Sequence, residues 1–120
     1  MQLSQNPINK TIEKQLSQMF YGVLAELNSP EEIKMVLGDV LTEVEKSAVL
    51  KRLGIAIYLD KGRSYEDVKN NIKVSSATIA TVAESLGNPG WQEVIRRIKA
   101  EEWASEWTDK ISKKIGKMFG

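Results

Sequence analysis

The chain has 120 residues, 42% of them hydrophobic and 28% charged, with a formal net charge of +1, the balance of a folded chain with one core rather than of a disordered one. It contains no cysteine and no histidine, which excludes a disulfide, a thiolate nucleophile, a zinc–sulfur site, an imidazole ligand and a Ser-His-Asp triad. We therefore expect no catalysis, no metal and no cofactor. With no signal-peptide pattern at its start and no apolar run of about 18 residues, we also expect a cytoplasmic protein.

Helix-start signals recur along the chain. Asn6-Pro7 offers an N-cap followed by proline at the first helical position, where the missing N–H costs nothing. The spacing of Ile8, Ile12, Leu16, Met19, Phe20, Val23, Leu24 and Leu27 then predicts one apolar helical stripe. Ser29-Pro30-Glu31-Glu32 reads as a capping box that opens a short second helix, and Thr42-Glu43-Val44-Glu45 as another. The third helix should end near Gly62, a residue suited to a left-handed cap. Its segment from Ala48 to Leu59 is apolar on more than one side, more than a single small core requires. Such a helix is buried by neighbours on several faces, so we expect a dimer with this helix near its centre.

Ser64 to Ile72 reads as a capped short helix, Lys73-Val74 as a tight connection, and Ser75 as the cap of a further helix running to Leu86. Val68, Ile72, Val74, Ile79 and Val82 are spaced as two steeply crossing helices need. Residues 64–86 are therefore expected to form a helix-turn-helix, which holds its second helix out from the body where it can enter a major groove. Apolar spacing alone allows two merely packed helices equally well.

From about Phe20 to Leu86 the chain resembles the tryptophan repressor family and its shorter relatives of unassigned ligand. The stretches that carry this are Leu41-Thr42-Glu43-Val44-Glu45, Arg52, Gly62-Arg63-Ser64-Tyr65-Glu66-Asp67-Val68, and Val74 to Val82 with its Ala77-Thr78-Ile79 core. The resemblance implies an all-α fold: an intertwined homodimeric multi-helix bundle with a helix-turn-helix, plus a C-terminal helical extension. It implies a repressor-like transcriptional regulator that binds double-stranded DNA as a homodimer. The alternative reading is a dimeric helical interaction module that has lost operator reading. Residues 1–87 would form the family domain and 88–120 the extension, divided at Gly87-Asn88-Pro89-Gly90.

Two departures stand out. Lys69 replaces the family's usual alanine, and Lys73 a frequent turn glycine, so Lys73 is expected to carry backbone strain. Both lysines, with Lys61 and Arg63, can reach flanking phosphates, or stand as ordinary solvated side chains. The expected recognition helix, Ser75 to Leu86, has no Arg, Lys, Asn or Gln, the side chains that make bidentate contacts to guanine and adenine. That leaves Ser75, Ser76, Ala77, Thr78 and Thr81 for DNA contact, with modest sequence specificity. In the tryptophan repressor two arginines flank the bound indole. Arg52 matches the first and marks a possible effector pocket, but Thr81 stands in place of the second. Threonine neither stacks on a ring nor pairs with a carboxylate, so tryptophan is not expected as corepressor.

Charge drifts along the chain: residues 1–60 hold six Lys/Arg against eight Asp/Glu, and residues 91–120 seven against five. Attraction to phosphate must therefore come from local patches. In the extension, Trp91, Val94, Ile95 and Ile98 form one stripe, expected to seal the helix-turn-helix. A second stripe, from Ala100 to Met118, faces nearly the opposite side and lies beside Lys110, Lys113, Lys114 and Lys117. For residues 100–120 packing within the dimer ranks first, DNA-backbone contact second and contact with a membrane surface last.

Overall fold

The computed structural model describes residues 5–102, and these contain six helices and no strand. In chain order they are α1 (Lys10–Glu26), α2 (Pro30–Val40), α3 (Glu43–Asp60), α4 (Tyr65–Ile72), α5 (Ser76–Ser85) and α6 (89–102). None of them is long and apolar enough to cross a membrane. The described residues divide into two compact units between Lys46 and Ser47.

The caps explain most of the boundaries. Helix α1 does not begin behind Asn6-Pro7. Its N-cap is Asn9, whose Oδ1 accepts from the Thr11 and Ile12 amides at 2.9 and 3.3 Å, so Ile8 precedes the helix. In α2 the Ser29 hydroxyl accepts from the Glu32 amide at 3.1 Å, while the Glu32 carboxylate reaches one residue further back, to the Asn28 amide. At the start of α3 the box is fully reciprocal: the Thr42 amide donates to Glu45 Oε1 at 2.8 Å and the Glu45 amide to Thr42 Oγ1 at 3.1 Å. Hydrogen bonding from the Thr42 amide, and secondly from the Thr42 side chain, holds the Glu45 carboxyl below its ordinary pKa.

The first unit buries little. Neither α1 nor α2 contains a buried residue, and Met19, Tyr21 and Met35 are each about two-thirds exposed. Val44, in the first turn of α3, is 80% exposed. Apolar side chains therefore recur at helical spacing, as the sequence predicts, yet stand open to solvent.

The core lies in the second unit. Ile55 and Ala56 of α3, Val68 of α4 and Ile79 of α5 are fully buried, and Val82 nearly so. Tyr58, Leu59, Ile72, Val74, Leu86 and Trp91 pack around them. Ile95 of α6 is also buried, so the first stripe of the extension does turn inward as expected, with Trp91 against the core and Val94 left facing out. Pro89 and Gly90, read from sequence as linker, are already in the first turn of α6. The Gln92 side-chain amide donates to the Leu86 carbonyl at 2.8 Å and so closes the end of α5. Exposed ion pairs Lys99–Asp60 at 2.9 Å and Lys61–Glu102 at 3.4 Å join α6 to the end of α3. Helix α6 runs unbroken through 99–102. The expectations for the basic stretch that contains Lys110, Lys113, Lys114 and Lys117 fall on residues outside those described.

Candidate nucleic-acid interface

The candidate site residues lie at the end of α3, on α4 and on α5. Helix α3 stops in a Schellman motif. Gly62 takes φ 78°, its amide donates to the Leu59 carbonyl at 3.0 Å, and the Arg63 amide reaches back to the Tyr58 carbonyl at 3.0 Å. Glycine is favoured here, because an L side chain is strained at that angle. The motif brings Arg63 back over its own helix, with its guanidinium 5.4 Å from the centre of the Tyr58 ring. Arg63 also donates to Asp67 at 2.7 Å, a pairing that raises its pKa further. Asp67 accepts from the Asn71 amide group as well, at 2.9 Å. Arg63 is therefore exposed but held in one place, and Asp67, not singled out from sequence, is the residue that holds it. The i,i+4 spacing of Arg63 and Asp67 was the available signal.

Helix α4 is capped by Ser64, which accepts from the Asp67 amide at 3.1 Å. Val68 points into the core while Lys69 is exposed on the outer side. The helix ends at Lys73, whose φ of 62° and ψ of 59° are left-handed. Among the described residues it is the one non-glycine with positive φ. The strain expected from the missing glycine is thus present. Its carbonyl accepts from the ammonium of Lys51 on α3 at 3.1 Å, a long-range contact with no sequence signature.

Helix α5 starts at Ser75, whose hydroxyl accepts from the Thr78 amide at 3.2 Å and pairs with the Thr78 hydroxyl at 3.0 Å. Thr81 donates its hydroxyl to the Ala77 carbonyl one turn back, at 3.0 Å. Ser75, Ser76, Ala77 and Thr81 are exposed and Thr78 is half-buried. Three of the four hydroxyls expected to face a nucleic acid are therefore engaged within the helix itself. Such back-bonding is a general habit of Ser and Thr in helices, which the sequence permits without deciding the rotamer.

Arg52 is exposed on α3. Among the described residues, Arg52 and Thr81 line neither of two concavities found at α6. One, between Ile57, Ile95 and Ile98, has about 40 Å³, far below the several hundred Å³ of an ordinary ligand pocket. The other is an open groove of about 430 Å³ beside Trp91 and Val94. Among the described residues no cluster of carboxylates could hold a metal ion.

Two short, capped helices that cross on a buried Val68–Ile79–Val82 contact, with the amino end of the second one exposed, define an all-α helix-turn-helix protein. A family model described as Trp repressor protein matches residues 14–99. The chain belongs to that family, whose members are helix-turn-helix DNA-binding transcription regulators. The uncharacterized protein YerC of Bacillus subtilis (strain 168) is 31% identical over 100 residues, covering 82% of this chain and 95% of that protein. The crystal structure of a Trp repressor candidate from Staphylococcus aureus superposes with a TM-score of 0.64 at 28% identity, covering 76% of this chain and 96% of its own.

Proposed function

We propose that this protein is a homodimeric transcriptional regulator that binds double-stranded DNA through α4 and α5, without tryptophan as corepressor. The observation that carries this reading is the exposed amino-terminal turn of α5, held out from a fully buried Ile79. Arg63, Lys69 and Lys73 would meet phosphates, where charge and positioning matter more than sequence. Ser76, Ala77 and the methyl-bearing face of Thr81 would meet the groove. With no Arg, Lys, Asn or Gln in α5 and three hydroxyls engaged internally, base discrimination would be modest. Family membership supports the DNA-binding class of the reading. The assignment of single residues is ours.

The homodimer is supported by the first unit. Met19, Tyr21, Met35 and Val44 are exposed, and neither α1 nor α2 has a buried residue; exposed large apolar side chains in such number favour an association site. The absence of tryptophan from the reading is supported by Thr81, which gives its hydroxyl to Ala77 and offers a ligand no charge.

Fluorescence anisotropy on a labelled duplex, repeated across salt concentrations, tests the proposal. Affinity should fall steeply as salt rises, with a slope set by the phosphates neutralised. Failure to bind any duplex at low salt would leave the interaction-module reading, which the internally bonded α5 favours. Calorimetry with tryptophan should show no heat of binding; stoichiometric micromolar binding would overturn the corepressor statement. Sedimentation should give a dimer.

A further inference from the structure

Two residues of α3, one turn apart on one face, hold two successive residues at the end of α4. At Gly54 a Cβ would lie 2.9 Å from Ile72 Cδ1, closer than carbon atoms approach, so the missing side chain is what admits Ile72 so near to α3. At Lys51 the ammonium donates to the Lys73 carbonyl at 3.1 Å. Ile72 closes α4 and Lys73 is its left-handed cap. One is seated by shape and the other by a charge-assisted hydrogen bond.

A side-chain-bearing residue stays in the left-handed region only where its surroundings over-determine it. The core contacts of Val68, Ile79 and Val82 set how closely α4 and α5 pack. Ile72 and Val74, on either side of the turn, pack against that core, but the side chain of Lys73 is exposed, and its carbonyl is held by the Lys51 ammonium. Two residues further on, Ser75 caps α5. A change in the Lys73 peptide therefore redirects the first turn of α5, the turn offered to DNA.

We propose that Lys51 is a positioning residue for the recognition helix: its ammonium grips the Lys73 carbonyl, fixes the left-handed turn and so aims the amino end of α5. The proposal rests on the DNA-binding reading above. It assigns Lys51 a role other than the phosphate contact that an exposed lysine near such a helix would suggest.

The test uses the full chain as wild type, Lys51→Met, which keeps the aliphatic stem and loses the donor, and Lys51→Arg, which keeps a donor. Amide exchange in the free protein is read at Thr78 and Ile79, whose amides bond to Ser75. In Lys51→Met, exchange there should accelerate about tenfold, while exchange at Ile55 and Ala56 stays unchanged. Lys51→Arg should restore slow exchange. Binding is then read on a duplex selected by the wild-type protein from a random pool and on a shuffled duplex of the same composition. Lys51→Met should weaken the selected duplex about three- to tenfold and the shuffled one less than twofold, with an unaltered salt slope. Equal weakening of both duplexes with a slope reduced by about one would make Lys51 a phosphate contact and overturn the proposal. Unchanged exchange at Thr78 and Ile79 would overturn it as well. A wild-type protein that binds neither duplex would sink the DNA-binding reading instead, and the exchange data would still decide whether Lys51 sets the turn.

Discussion

Replacing Lys73 by glycine should stabilise the free protein, and the size of the effect follows from the turn. Lys73 sits at φ 62°, ψ 59°, a region that costs an L side chain about 1–2 kcal/mol. Glycine escapes that cost but enlarges the unfolded ensemble, which returns about 0.4–1 kcal/mol. The Lys51 bond is made to the backbone carbonyl, so it survives the substitution. The balance is a gain of about 0.5–1 kcal/mol, which for a domain of this size is a rise of about 2–6 °C in Tm. Lys73→Ala is the control, since it removes the same charge and leaves a Cβ in the strained position. It should shift stability by less than about 0.5 kcal/mol. Thermal unfolding of all three proteins at one protomer concentration is the assay, because association makes Tm depend on concentration. A glycine variant no more stable than the alanine variant would refute the claim that the turn is strained. In DNA binding the two variants should behave alike if Lys73 meets a phosphate, each lowering the salt slope by about one.

Other substitutions probe neighbouring features. Gly54→Val adds three carbons at the Ile72 contact, and overpacking of a fitted contact costs about 1–3 kcal/mol; chemical denaturation should show at least the lower figure. Ser75→Ala removes the cap of α5 and should cost about 1 kcal/mol, with a matching rise in exchange at the Thr78 amide. Glu93 accepts from Arg96 at 2.6 Å and from Arg97 at 2.7 Å, and these bonds, Arg96 first, lower its pKa from 4.5 to about 2. Because the folded value is the lower one, the unfolded chain takes up the proton first, so the stabilisation is complete above about pH 4.5 and is lost as pH falls towards 2. Glu93→Gln should flatten the pH dependence of the denaturation midpoint across that window and lower the midpoint slightly at neutral pH, where the ionised carboxylate contributes, towards the wild-type value at low pH.

The caps were legible because their chemistry is local. Ser29, Thr42, Ser64 and Ser75 each bond an amide three residues on, and Gly62 announces the end of α3. The start of α1 was not, because Asn6 and Asn9 compete as caps within one turn, and the proline that favours Asn6 in the sequence is outweighed by the two amides gathered by Asn9. Val68, Ile79 and Val82 were readable as a crossing contact because hydrophobic spacing encodes which face turns inward. The grip of Lys51 on Lys73 was hidden, since it spans 22 residues and joins a side chain to a carbonyl that every residue type possesses. The occupancy of the α5 hydroxyls lay between these cases: the spacing was visible, but whether Thr81 would turn to the backbone or outward depends on the rotamer.

The open first unit carries a consequence for how such a protein would respond to its own supply. Helices of 17 and 11 residues without a buried residue lack the packed apolar face from which most helical stability in proteins comes. With a second copy as their cover, their folding and the pairing of chains become one equilibrium, in which the ordered fraction rises with the amount of chain present. Gene control would then acquire a threshold. Below a certain abundance the chain would be largely unassembled and open to proteolysis; above it, paired reading heads would accumulate faster than the protein itself. The dose at which that happens would be written in the exposed side chains of α1 and α2 rather than in the helix that meets DNA.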